Sequence, residues 1–114
     1  MPSYSNSIVV LPWDFSDHAR LALQYAVENY RPQNIQVVSV LESPVPYAPD
    51  IVMPYQTEEK ATMQCEHDFK EQVQPDQYPG LSFTTAFGDP AEEIVRFAKL
   101  NNAEIILMST HGRT

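Results

Sequence analysis

The sequence predicts an α/β fold, a three-layer open parallel sheet with helices on both faces. Two observations carry this reading. Four short apolar runs alternate with three stretches of helical periodicity, the pattern of parallel strands joined by right-handed crossovers. The runs at 7–12 and 35–41 are continuous and rich in β-branched residues, as strands buried on both faces are.

The first run, 7–12, ends at Pro12, which cannot continue a ladder. Trp13-Asp14-Phe15 form a loop, and Ser16 or Asp17 is placed to cap a helix. Ala19, Ala22, Leu23, Ala26 and Val27 then recur at helical spacing to about Asn29. Pro32 and its neighbours break the chain before the second strand, Ile35–Leu41. Four prolines between 43 and 54 demand irregular backbone. A charged helix follows, from Thr57 to about Gln74, with Ala61, Cys65, Phe69 and Val73 at i, i+4 spacing.

After a turn at 75–80, residues 81–86 alternate apolar and polar, as an edge or half-buried strand does. Gly88-Asp89-Pro90 reads as a strand end, an N-cap and a first helical residue. Ile94, Val95, Ala98 and Phe97 give the third helix its apolar side, and Asn101-Asn102 end it. Residues 103–108 predict a short buried strand.

With 114 residues the chain forms one domain, here taken as 1–114, and is long enough for one core. Seven basic against 15 acidic residues give a net charge of −8. That argues against non-specific nucleic-acid binding and against an anionic membrane surface. It leaves a nucleotide open, because backbone N–H groups and a metal ion can hold phosphate. Cys65 is the single cysteine, so no intrachain disulfide forms. Residues 1–7 carry no leader pattern and no run reaches membrane-spanning length. These features predict a soluble, cytoplasmic protein with no membrane and no nucleic-acid partner.

Chemistry is expected where loops leave the carboxyl ends of strands, since ligands of open α/β sheets bind there. At the end of the first strand stand Pro12, Trp13 and Asp14. Asp14 is placed either to meet a ribose or a phosphate-bound cation, or to cap the turn into the next helix. The last strand leads into Ser109-Thr110-His111-Gly112-Arg113-Thr114, which offers hydroxyls, an imidazole, a glycine and a guanidinium. A glycine lets backbone approach a ligand, and an arginine pairs well with phosphate. The alternative is a solvated turn. The loop is not a P-loop, since no Lys-Ser or Lys-Thr pair follows its glycine.

His18, His67 and His111 lack the paired spacing of a zinc site. His18 and His67 read as exposed helix residues, and His111 as the stronger candidate for chemistry. Cys65 reads as a small buried hydrophobe. No catalytic triad, carboxylate pair or redox motif emerges, and no metal ligands are assigned. The expectation is a binding module with no catalytic residues.

Three stretches resemble one family. Residues 8–16, Ile-Val-Val-Leu-Pro-Trp-Asp-Phe-Ser, resemble the opening of universal stress proteins. Gly88-Asp89-Pro90-Ala91-Glu92-Glu93-Ile94 resembles their third helix start, and residues 103–114 their nucleotide-site strand and loop. The resemblance implies the universal stress protein fold, related to the adenine nucleotide alpha hydrolases, with strand order 3-2-1-4. It implies an adenine nucleotide, ATP or AMP, at the carboxyl ends of strands one and four, with Mg2+ accompanying ATP. Pro12, Trp13 and Asp14 would border the adenosine and Val40 the base. Met108, Ser109, His111 and Gly112 would line ribose and phosphates.

Ser109 stands where the family commonly has glycine. The family also continues past the position of Thr114 with more loop, a helix and a fifth strand. The resemblance therefore implies a C-terminally truncated domain whose exposed fourth strand pairs with another chain as a homodimer or higher oligomer. Two other functions remain open. One is a stress dimer acting through protein contacts without nucleotide. The other is a nucleotide-dependent hydrolase or ligase on the same architecture. Beyond slow ATP hydrolysis, no enzyme is expected.

Overall fold

The computed structural model describes residues 6–42 and 58–108. Four strands form one parallel sheet in the order β3-β2-β1-β4: β1 (Val9–Pro12), β2 (Ile35–Leu41), β3 (Ser82–Phe87) and β4 (Ile105–Ile106). Between them lie α1 (Asp17–Asn29), α2 (Glu58–Val73) and α3 (Pro90–Leu100). Short 3-10 turns at Pro32–Asn34 and Pro75–Gln77 precede β2 and β3. The expected α/β class and strand order are those observed.

The central strands are apolar because helices cover both their faces. Leu11, Ile35 and Val37 pack with Ala19, Ala22, Leu23 and Ala26 of α1 and with Phe69 and Val73 of α2. Val10 and Val38, one residue out of phase, pack under Ala98 of α3, with Ile94 and Phe97 beside it. Period-two alternation thus divides one run of valines and leucines between two cores. The α2 stripe Cys65, Phe69 and Val73 is buried as its spacing predicts, whereas Ala61 is half-buried.

Both clear helix starts follow the sequence. Ser16 is the N-cap of α1, its hydroxyl accepting from the Ala19 N–H at 3.1 Å. Asp89 caps α3, its carboxylate accepting from the Glu92 N–H at 3.0 Å, and Pro90 takes the first helical position. Gly88 donates its N–H to the Leu41 carbonyl at 3.0 Å and turns the chain with φ +136°, backbone that suits glycine.

β4 corrects one expectation. The sequence predicts a buried strand over 103–108, but only Ile105 and Ile106 pair with β1, opposite Val9 and Val10. Ile105 is half-buried, Ile106 is 40% exposed and Met108 61% exposed. The reason is position: among the described residues β4 has one neighbouring strand and forms a sheet edge. An apolar run shows that its side chains favour a strand, but not how many neighbours that strand has. β3 is the other edge, with mostly half-buried side chains, as its alternation suggested. The proline-rich segment 43–54 lies outside the described residues.

Candidate functional site

Strand order creates the site. From β1 the chain steps through α1 to β2 and through α2 to β3, always in one direction. It then crosses back through α3 to β4 on the far side of β1. The direction reverses between β1 and β4, so the loops leaving these two strands diverge and open a crevice at their carboxyl ends.

A cleft of about 330 Å³ occupies that place. Pro12, Trp13 and Asp14 at the end of β1, Val38 and Val40 of β2, and Met108 beyond β4 line it. Ser16, His18, Ala19 and Ala22 close one side from α1, and Pro90 and Ile94 close the other from α3. Five of the eight predicted site residues, Pro12, Trp13, Asp14, Val40 and Met108, therefore meet in one cavity. Ser109, His111 and Gly112 lie outside the described residues.

Each wall has a local cause. Trp13 is 3% exposed, so the wall it contributes is anchored in the core. Its N–H donates to the Val38 carbonyl at 2.8 Å, extending the β1–β2 ladder past Pro12. Its indole meets Phe69 edge-on at 5.2 Å and Phe15 edge-on at 5.9 Å. Among the described residues, the buried indole Nε1–H has no hydrogen-bond partner, an arrangement folded proteins rarely keep.

Asp14 fills the turn-capping role its sequence position suggested. One carboxylate oxygen accepts from the Ser16 N–H at 3.0 Å and from the Ser16 hydroxyl, which ties the turn into α1. The same exposed residue lines the cleft. Val40 pairs with Ala86 of β3 and is half-buried, leaving part of its side chain on the cleft floor.

His18 departs from expectation. Its sequence position predicts an exposed helix residue, but it is half-buried and lines the cleft. Helical periodicity gives the face a residue occupies, not which end of the sheet the first turn approaches. His67, by contrast, is exposed on α2. Ser16, Ala22, Pro90 and Ile94 are further lining residues that sequence reading did not assign. The signal that identifies them is the crossover order, which brings the first turns of α1 and α3 to the same crevice.

The cleft is chiefly apolar, with a few polar groups at its β1–α1 rim, as small-molecule sites are. The N-terminal ends of α1 and α3 both approach it, and their aligned peptide dipoles favour negative charge there. Among the described residues, no group of three or more His, Cys, Asp or Glu is placed to hold a metal ion. A larger, shallower depression of about 630 Å³ lies on the outer face of α3, and no strand residue lines it.

Residues 6–114 match the model of the universal stress protein family. The chain belongs to the universal stress protein family. Among solved structures, universal stress protein UspA from Lactobacillus plantarum superimposes with a TM-score of 0.63. Its identity is 19%, and the match covers 96% of this chain and 81% of that one. At that identity the likeness concerns the fold. No curated protein matches the sequence. Family membership agrees with the stress-protein resemblance of the three stretches, and the chain is a stress-response domain of the universal stress protein type.

Proposed function

We propose that this universal stress protein domain binds an adenine nucleotide in the cleft between the ends of β1 and β4. The observation that carries the reading is the convergence of Pro12, Trp13, Asp14, Val40 and Met108 on one cavity at the point where strand order reverses. Pro12, Val38, Val40, Ile94 and Met108 provide apolar surface for a planar base. Asp14 and Ser16 stand at the polar rim, where the sugar hydroxyls would lie.

A volume of about 330 Å³ is near the lower end of small-ligand cavities, about 300–1,000 Å³. This supports adenosine or AMP held within the described walls. The residues present fit a nucleotide in this sense. With ATP, Mg2+ would be held mainly by the phosphates and would offset their charge, with Asp14 as the carboxylate among the described lining residues.

The domain acts as a ligand-binding stress module rather than a dedicated enzyme, and it works in the cytoplasm. Its ligand occupancy, not turnover, is the output. Calorimetric titration with adenosine, AMP and Mg-ATP tests this reading. One-to-one binding of at least AMP is expected. Failure of all three to bind would overturn it.

A second reading has its own observation. Leu21 and Tyr25 of α1, 59% and 52% exposed, line a shallow depression together with Leu107 and Met108 just beyond β4. This supports a homodimer or higher oligomer formed through that edge, acting through protein contacts. Light scattering that finds only monomer at high concentration would count against it.

A further inference from the structure

We propose that two copies of this domain pair through the outer face of α3, helices antiparallel, with Glu92 of each copy beside Lys99 of the other. The inference is independent of the nucleotide reading and concerns a surface other than the β4 edge.

The face is the depression of about 630 Å³ lined by Ala91, Glu92, Val95, Arg96, Lys99 and Leu100. Val95 is 46% and Leu100 74% exposed, on the side of α3 away from the buried Ala98 and the half-buried Ile94 and Phe97. Covering them removes apolar surface from water, which favours a contact without choosing its partner.

Charge chooses the partner. Glu92 and Lys99 are seven residues apart, close to two helical turns, so they stand on one line of α3 roughly 10 Å apart along its axis. A line with opposite charges at its two ends matches a second copy of itself running the other way. Both Glu92–Lys99 pairs then form at once about a two-fold axis. Val95 of each copy lies near that axis, and Ala91 and Leu100 flank the pairs. Among the described residues, neither the Glu92 carboxylate nor the Lys99 ammonium pairs with an opposite charge, whereas Arg96 is held by Glu93 at 3.2 Å. Antiparallel helices also bring opposite ends of their dipoles together.

A chain of net charge −8 repels its own copies over much of its surface. The outer face of α3 presents two of the seven basic residues, Arg96 and Lys99, against one acidic lining residue, so this repulsion is reduced there. Two helices of 11 residues bury less than the roughly 1,600 Å² of a standard interface, so the pair is weak, with a dissociation constant on the order of 0.1 mM.

Sedimentation equilibrium at concentrations around that value tests the proposal, with Glu92→Lys, Lys99→Glu and an equimolar mixture of the two variants. The unaltered chain should show a monomer–dimer equilibrium. Each variant alone should dimerise roughly tenfold more weakly or worse, because like charges then face each other. The mixture should form a heterodimer at least as tight as the unaltered pair, since two ammonium groups of one variant meet two carboxylates of the other. Heterodimer formation itself requires both variants to be folded. Where circular dichroism shows lost helix, Glu92→Gln and Lys99→Gln take their place and should each weaken the dimer severalfold. In the unaltered chain, dilution should move the amide NMR signals of Val95, Arg96 and Lys99 and leave those of Leu21 and Tyr25 in place.

A monomer at every concentration overturns the proposal. So does a dimer that both variants form as tightly as the unaltered chain, or a mixture no tighter than either variant alone. Dilution shifts at Leu21 and Tyr25 in place of α3 would assign self-association to the β4 edge and overturn it as well. None of these outcomes bears on the nucleotide reading, which calorimetry tests separately.

Discussion

Replacing Phe69 with alanine tests how the cleft wall is supported. Phe69 is 2% exposed, stacks on Phe83 at 4.2 Å and meets Trp13 edge-on at 5.2 Å. Truncating a buried phenylalanine costs about 3–5 kcal/mol. Two aromatic pairs, each worth about 0.5–1.5 kcal/mol beyond area, place this site in the upper part of that range. The expected loss is about 4–5 kcal/mol, a large part of the ~5–15 kcal/mol that stabilises an ordinary domain. Urea unfolding measures it, followed by far-UV circular dichroism and by the fluorescence of Trp13, the single tryptophan. Phe69→Leu keeps most of the apolar volume and loses both ring pairs, so it should cost about 1–3 kcal/mol. A loss below about 2 kcal/mol for Phe69→Ala, with an unchanged urea dependence, would refute the reasoning. It would mean that α2 does not brace Trp13 from behind, and that the cleft wall is held by something else.

Three further substitutions probe other links. Asp89→Ala removes the α3 cap and should cost about 1 kcal/mol in the same unfolding assay, with the cleft unchanged. Gly88→Ala places a Cβ on backbone at φ +136° and 3.2 Å from the Glu93 Cγ, and should cost about 1–3 kcal/mol by thermal melting. Val40→Phe puts a bulky ring in place of an isopropyl group on the half-buried cleft floor and should abolish adenosine binding by calorimetry while lowering stability by less than about 2 kcal/mol.

The fold was legible where local chemistry and packing agree. Ile35–Leu41 reads as a strand because β-branched residues fill both faces, and the structure gives it those bounds. Gly88, Asp89 and Pro90 announce a strand end and a helix start because each suits one backbone position. β4 was misread because Ile105, Ile106 and Leu107 have the same apolar chemistry at an edge as at the centre. Neighbour count is a property of topology, and no local residue records it. The cleft was half legible for the same reason. Pro12, Trp13 and Asp14 could be assigned from the strand they follow. His18, Pro90 and Ile94 could not, because they reach the cleft only once α1 and α3 are placed on opposite faces of the sheet.

The most direct test of the account is an amide NMR titration of the chain with AMP. The account predicts shifts concentrated at Trp13, Asp14, Val38, Val40, Ile94 and Met108, together with the Trp13 indole N–H. Saturation should follow one-to-one binding. An unchanged spectrum, or shifts confined to the outer face of α3 around Val95 and Leu100, would contradict it.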